Sequence, residues 1–269
     1  MDNFILPTKN TWCPGCGNFA IQKALGDAVS NLNKDKTVLV SGVGCHAKIA
    51  DYVNMNSFYS LHGRAIATAT GVALGNKELD VICCVGDGDT YNEGMAHLIH
   101  AARRNSNITV IVHDNQVFSL TVKQATATSP RGFEGTTTPK GNPDDPINPL
   151  ELMLASGATF IARGYAGKPE QLTNIILEGV KHKGFSFIEV LQPCVAWYNT
   201  YPDFNERTYE MEEQFLPLEQ AKEKMAEWDY ANQNRIPLGV FYKKEKPTIG
   251  DQVGDIFKPD MSSFLEQSK

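Results

Sequence analysis

The sequence predicts an α/β fold: a mostly parallel sheet with helices on both faces, plus a C-terminal extension. Three observations carry that prediction. The apolar runs at 81–85, 108–112 and 185–191 read as buried parallel strands, because strands covered on both faces show near-continuous hydrophobicity. Between the first two, Met95, Leu98, Ile99 and Ala102 follow helical i, i+3, i+4, i+7 spacing. Each run stops at residues suited to chemistry: Gly86-Asp87-Gly88-Asp89, His113-Asp114-Asn115 and Gln192-Pro193-Cys194. Open α/β sheets bind their ligands at such carboxyl ends.

In chain order, Cys13-Pro14-Gly15-Cys16-Gly17 comes first, a tight knuckle that can aim two thiolates at one metal centre. Taken alone it fits zinc, a redox dithiol or a pair of iron–sulfur ligands. A helix over 19–32 follows, with Ala20, Leu25, Ala28, Val29 and Leu32 as its buried side. The β-rich run 37–43 ends at Gly44-Cys45-His46, so a third cysteine stands just past a strand end. Ser60 to Ala65, with His62, Gly63 and Arg64, opens a helix of small residues over 65–74. Small side chains there permit close approach of the sheet or of a second subunit.

Thr90 with Glu93 three residues on has the form of a capping box, which starts a helix over 90–105. Cys83 and Cys84 are adjacent on a strand, point to opposite faces and read as buried hydrophobes. Residues 121–148 are rich in Thr, Ser, Gly and Pro without apolar periodicity, a length of loop that is usually functional. Regular structure resumes with a helix over 149–156, a strand over 159–162, a helix over 169–182 and the strand 185–191. Beyond it, 216–228 suits an amphipathic helix and 236–242 a late strand.

The 269 residues, 42% hydrophobic and 21% charged, suit one large folded domain or a domain with an appendage. No apolar run approaches the roughly 20 residues of a membrane span, and the N-terminus lacks a secretory pattern. A net charge of −6 disfavours nucleic acid as a partner. Six cysteines without a secretory signal point to metal or redox work in a reducing compartment. At the strand ends, Asp87 and Asn115 offer oxygen to a small hard cation. Magnesium wants such ligands together with phosphate oxygens, and the flanking glycines let backbone approach a phosphate.

The span 86–115 matches the thiamine-diphosphate signature, and further motifs extend the likeness. WCPGCGNFAIQKAL, SGVGCH, LHGRAIATATG, VGDGDTYNEGMAHLIHAARRNSNITVIVHDNQVFSLT and QPCVAWYNTYP resemble the β subunit of 2-oxoacid:ferredoxin oxidoreductases. The ending RIPLGVFYKK is similar to the short 2-oxoglutarate-type β subunits. The resemblance implies thiamine diphosphate, Mg²⁺ and one [4Fe–4S] cluster. It makes Cys13, Cys16, Cys45 and Cys194 the cluster ligands. Asp87, Asn115 and the carbonyl of Val117 become the metal ligands. Gly44, His46, His62, Gly63, Arg64, Gly86, Gly88, Asp89, Leu120 and Thr121 fall in cofactor-lining motifs, with His46, His62 and Arg64 as catalytic candidates. The family's loop lysine is displaced by one position here, so Lys123 and Lys48 both stand as candidate cations for the substrate carboxylate.

The implied organisation is an N-terminal cluster segment and helix over 1–35, a cofactor-binding α/β domain over 36–195 and an extension over 196–269. The implied reaction is oxidative decarboxylation of a 2-oxoacid, 2-oxoglutarate or pyruvate, with coenzyme A, electrons leaving through the cluster to ferredoxin. An α (or fused γα) subunit would supply the pyrimidine side of the site, in a cytoplasmic, heterodimer-based higher oligomer. Two rivals stay open. One is a non-redox thiamine-diphosphate decarboxylase subunit whose cysteines hold structural zinc, since zinc also accepts four thiolates. The other is an electron-transfer or scaffold subunit with a degenerate thiamine site.

Overall fold

The computed structural model describes residues 4–30 and 32–253; residues 1–3, 31 and 254–269, the last part of the predicted extension, lie outside it. Helix α1 (Asn18–Val29) precedes strand β1 (Thr37–Ser41), edge strand β2 (Asn56–Tyr59) and helix α2 (Ala65–Gly75). Next come β3 (Asp80–Gly86), α3 (Met95–Arg103), β4 (Ile108–Asp114) and a small hairpin of β5 (Val117–Phe118) and β6 (Gln124–Ala125). Helix α4 (Pro149–Ala155), β7 (Phe160–Tyr165), α5 (Pro169–Lys181) and β8 (Phe185–Leu191) complete the alternating part. Then follow α6 (Tyr201–Arg207), β9 (Thr208–Glu210), α7 (Leu218–Met225), β10 (Ile236–Lys243) and α8 (Ile249–Val253).

Among the described residues the main sheet runs β2-β1-β3-β4-β8-β7-β10-β9. All its pairings are parallel except that of β10 with β7. Successive residues of β3 and β4 feed two cores. Cys83, Val85, Val110 and Val112 pack under α2, α3, α4 and α7, while Ile82, Cys84 and Ile111 pack under α1 and α5. Both faces are therefore covered, which is why these strands read as unbroken apolar runs. Cys83 and Cys84 lie fully buried, one in each core.

Several elements differ from the sequence-based expectation, and two of them border the strand ends. Strand β2 is not legible in the sequence: it is a mostly exposed edge, NSFY, with no apolar alternation. The helix expected over 90–105 with Thr90 as its cap is different in kind. Residues Gly88–Glu93 form one wide π-helical turn, and α3 starts only at Met95 with no side-chain cap. Thr90 sits buried inside that turn and its hydroxyl makes no hydrogen bond. The wide turn brings the Asp89 carboxylate to the backbone N–H groups of Val43 and Gly63. Such single π turns are frequent at functional sites.

The long segment after β5 is ordered by polar contacts rather than by a core. Asn142 donates its side-chain amide to the carbonyls of Ser129 and Asp144 and pairs its backbone with Gly132 and Phe133. This folds the segment back over the carboxyl ends of β3 and β4.

Candidate active site

The carboxyl ends of β1, β3 and β4 lie side by side, because β3 pairs with both of the others. Gly44, Cys45 and His46 after β1, Gly86, Asp87, Gly88 and Asp89 after β3, and Asn115 and Val117 after β4 line one cleft there. Leu120 and Thr121 close one side of it, and His62 another. Two strand-end glycines are required by their neighbours. A Cβ on Gly86 would stand 2.6 Å from His46 Nδ1, and one on Gly42 would overlap the Asp89 carboxylate. A larger hollow of about 850 Å³ lies beside Tyr209 and Lys224 and is rich in glutamate, but it holds none of these groups. The strand-end cleft is smaller, about 70 Å³, and chemically far better furnished.

Asp87 is buried, and burial pushes its carboxyl up to about 6 despite the opposing hydrogen bond from Thr126. Thr126 donates to Asp87 Oδ2 at 2.6 Å and Thr128 lies 3.3 Å from the same oxygen. Both threonines come from the 121–148 segment, and the sequence patterns do not single them out. Their visible signal is an i, i+2 pair within ATATSP. Asn115 accepts the Val117 N–H at Oδ1, 3.1 Å away, so its amide nitrogen faces the other way, toward Gln192 Oε1 at 3.1 Å.

Behind Asp87 lies a buried chain that the sequence does not reveal. Thr128 meets Asp114 Oδ1 at 2.8 Å, Tyr230 meets Asp114 Oδ2 at 2.6 Å, and Tyr230 also meets Glu189. Glu189 in turn accepts from Arg163 Nε at 2.6 Å, and the guanidinium lies 4.8 Å from the centre of the Trp228 ring. A tyrosine hydroxyl donates once, so with two carboxyls in reach one must carry a proton. Burial, with repulsion from Asp87 and Glu189, raises Asp114 well above its ordinary value, which favours it over Glu189 as the protonated member.

Asp89 works in the opposite sense. Burial raises its pKa, but contact with His46, the Gly63 N–H and His62 outweighs that and leaves it below the ordinary value. It accepts from Gly63 N at 2.6 Å and Val43 N at 3.2 Å, and pairs with His62 Nδ1 at 2.9 Å. His46 Nε2 lies 3.4 Å from it, out of line for a hydrogen bond. Two of the expected site residues do not line the cleft. Gly63 (φ 71°) contributes through its N–H to Asp89. Arg64 instead meets His97 Nε2 at 2.6 Å, and burial plus that guanidinium lowers the His97 pKa. Nor do the two candidate cations line it. The Lys123 ammonium sits 5.6 Å from the Phe133 ring centre, and Lys48 lies in the short 3₁₀ turn after Cys45.

The cysteines gather at the same edge. The Cys16 N–H closes the knuckle onto the Cys13 carbonyl at 3.0 Å, and Gly17 N docks it on Pro193 O at 3.3 Å. A Cβ on Gly17 would stand 3.0 Å from the Gln192 side chain, so glycine allows that approach. Trp12 pins the Cys45 carbonyl through its indole N–H at 2.6 Å. Burial pushes the Cys16 thiol up to about 11, and the nearby Cys194 and Cys45 push the same way. A buried thiol that resists ionisation alone fits a positively charged inorganic body that takes it as a thiolate. Among the described residues no three Cys, His, Asp or Glu side chains form a ready single-ion site. An iron–sulfur cluster is a larger body, and its ligand sulfurs need not converge on one point.

The fold and the strand-end cleft define a thiamine-pyrophosphate enzyme. The sequence matches the family "Thiamine pyrophosphate enzyme, C-terminal TPP binding domain" over residues 42–190. Over 194–258 it matches the family of the C-terminal part of the pyruvate ferredoxin oxidoreductase β chain. It is 41% identical to the 2-oxoacid:ferredoxin oxidoreductase subunit beta of Sulfolobus sp, over 89% of this chain and 83% of that one. It is 42% identical to the 2-oxoglutarate synthase subunit KorB of Methanothermobacter thermautotrophicus, over 70% of this chain and 66% of that one. A solved 2-oxoglutarate:ferredoxin oxidoreductase from Magnetococcus marinus, with 2-oxoglutarate, coenzyme A and succinyl-CoA bound, superposes with a TM-score of 0.90 at 30% identity. That match covers all of this chain and 97% of the other. The chain belongs to the β subunits of 2-oxoacid:ferredoxin oxidoreductases. It is thus one subunit of a multi-subunit enzyme.

Proposed function

We propose that this β subunit, together with a partner subunit, carries out the oxidative decarboxylation of 2-oxoglutarate with coenzyme A, passing electrons through one [4Fe–4S] cluster to ferredoxin. The observation that carries the reading is the shared edge: Asp87 and Asn115 at two strand ends, with Cys16, Cys45 and Cys194 beside them. The naming of similar proteins as 2-oxoglutarate enzymes favours that acid over pyruvate.

In this reading Asp87, Asn115 and the Val117 carbonyl hold Mg²⁺ and through it the diphosphate, a donor set of oxygens suited to that ion. Cys13, Cys16, Cys45 and Cys194 hold the cluster. When bound, thiamine diphosphate supplies the electron sink for loss of carbon dioxide, and the cluster takes up electrons singly. Thr126 and Thr128 keep Asp87 aimed. Asp89 fixes the His62 ring at Nδ1, which leaves Nε2 as the nitrogen able to exchange a proton. His46, buried against Asp89, orders the turn between the two sites.

The partner is an α, or fused γα, subunit. Exposed Val43 and Leu120 line the cleft, and exposed Leu61 and Val122 directly adjoin its lining residues His62 and Thr121, apolar surface that suits a protein interface. With Lys48 and Lys123 away from the cleft, the cation for the substrate carboxylate is then supplied by that partner. No helix of the described residues is long and apolar enough to cross a membrane, and a cytoplasmic location is part of the proposal.

The test is to assemble the enzyme anaerobically and assay 2-oxoglutarate, pyruvate and branched-chain 2-oxoacids with coenzyme A and an electron acceptor. The highest kcat/KM is expected with 2-oxoglutarate. Decarboxylation without acceptor reduction, in protein that holds zinc and no iron, would support the non-redox rival instead.

A further inference from the structure

Gln192 joins the two cofactor sites, and no part of the proposed chemistry so far falls to it. It follows β8 directly, is 1% exposed, and touches one residue from each site. Its orientation is fixed from both ends. On one side the Val117 N–H can only donate, so Asn115 presents Oδ1 to it. The Asn115 amide nitrogen then faces Gln192 Oε1 at 3.1 Å, and that contact requires an oxygen. On the other side Gln192 Nε2 donates to the Pro193 carbonyl at 3.0 Å, which can only accept, and lies 3.6 Å from Cys16 Sγ. Both ends demand the same rotation of the amide.

Cys16 is set apart by this arrangement. A second amide, Asn18 Nδ2, lies 3.5 Å from the same sulfur, and Asn18 Oδ1 is held by His113 Nδ1 at 2.8 Å. Each donor on the Cys16 sulfur is thus oriented by a residue at the end of β4 or just beyond it. Hydrogen bonds to cluster sulfurs stabilise the more negative, reduced state and so raise the reduction potential. An outer partner that fixes a ligand's rotation also holds up the affinity of the metal site.

We propose that Gln192 is a positioning residue for both centres: it holds the Asn115 amide in the rotation that leaves the second lone pair of Oδ1 for the metal–diphosphate site, and it raises the cluster potential through Cys16. The inference rests on the cluster and thiamine assignments of the proposed function.

Two substitutions separate the two tasks. In Gln192→Glu one carboxylate oxygen still accepts from Asn115, while the other places negative charge where an N–H faced the sulfur. In Gln192→Leu both contacts go. The assembled enzyme is purified anaerobically, its iron and acid-labile sulfide are measured, and the cluster is titrated potentiometrically by electron paramagnetic resonance. Thiamine diphosphate binding is measured in parallel with Mg²⁺ present.

Gln192→Glu is expected to keep its iron and to bind thiamine diphosphate within about twofold of the unsubstituted enzyme. Its one-electron equilibrium should shift about tenfold toward the oxidised cluster, about 59 mV lower. Gln192→Leu should lower the potential too, and weaken thiamine diphosphate binding about tenfold. An unchanged potential in both variants would overturn the proposal. So would loss of the cluster in Gln192→Glu, which would make the residue part of the site's construction rather than its tuning. Absence of iron and sulfide from the unsubstituted enzyme is a separate outcome: it removes the cluster reading, and this inference with it.

Discussion

The two sites on the strand-end edge are built by opposite means. Around Asp87 the structure uses side-chain hydrogen bonds: two threonines, Asp114, Tyr230 and the Arg163–Glu189 pair lie in one buried chain. Around the cysteines it works mainly on backbone groups: a knuckle turn, a glycine docked on Pro193, and a carbonyl pinned by Trp12, with the side-chain amides of Asn18 and Gln192 near the Cys16 sulfur. The first site is ordered before any cation arrives. The second sets Cys16 near Cys45 and Cys194, and burial keeps the Cys16 thiol from ionising until a cluster takes it as a thiolate. Losses at the cysteines should therefore be all-or-none, and losses around Asp87 graded.

The sharpest break of that contrast is Cys194→Ser. Cys194 lies far in sequence from the knuckle and closes the cysteine site, so the variant should lose most of its iron while still binding thiamine diphosphate. Iron analysis beside a cofactor titration checks both halves. A full cluster in this variant would remove Cys194 from the ligand set. Asp87→Ala should do the reverse, with cluster content kept. Its loss of Mg²⁺-dependent cofactor affinity should exceed the roughly 10–100-fold typical of losing an outer-shell partner. Unchanged Mg²⁺ dependence would make Asp87 a turn residue only.

Smaller effects test the ordering network. Thr126→Val removes the 2.6 Å donor to Asp87, and affinity should fall roughly tenfold. Isothermal titration at fixed Mg²⁺ would show it. The pH profile has a definite sign. The Asp87 carboxyl is raised from 3.8 to about 6 in the cofactor-free fold. The folded chain therefore holds that proton more tightly than the unfolded chain. The stability this contributes is present at low pH and is lost as pH rises from about 4 through about 6. A cation must displace the same proton, so cofactor affinity should be full above about pH 7 and decline below about 6. A flat affinity across that range would contradict it. The smallest change is Cys83→Ala: iron content should stay intact and stability drop by about 1 kcal/mol, read as a shift in denaturant midpoint.

The comparison also separates what the sequence discloses from what it hides. Strands β3, β4 and β8 are legible because burial on both faces demands unbroken apolar runs, and their ends carry Gly86, Asn115 and Cys194. The Cys13–Cys16 knuckle is legible because its geometry is local. The supporting shell is not. Tyr230 reaches Asp114 across 116 positions, and Gln192 reaches Cys16 across 176, so no window of sequence contains both partners. Thr126 and Thr128 sit in a polar loop whose path depends on Asn142, and nothing in their composition says they face a carboxylate. The turn at Gly88–Glu93 misleads for a related reason. Thr90 and Glu93 have the spacing of a helix cap, but Asp89's distant contacts with Val43 and Gly63 decide the backbone. Arg64 reads as a site residue from its neighbours, yet His97 on α3 draws it off.

Both sites on this edge must be filled in the same molecule if the account is correct. The direct measurement is quantitative analysis of anaerobically purified enzyme for iron, acid-labile sulfide, zinc and thiamine diphosphate, expressed per copy of this chain. The account predicts iron and sulfide in equal amounts together with bound thiamine diphosphate, and the iron attributable to this chain lost in Cys194→Ser but kept in Asp87→Ala. Stoichiometric zinc without sulfide, or iron that survives Cys194→Ser and departs with Asp87→Ala, would contradict it.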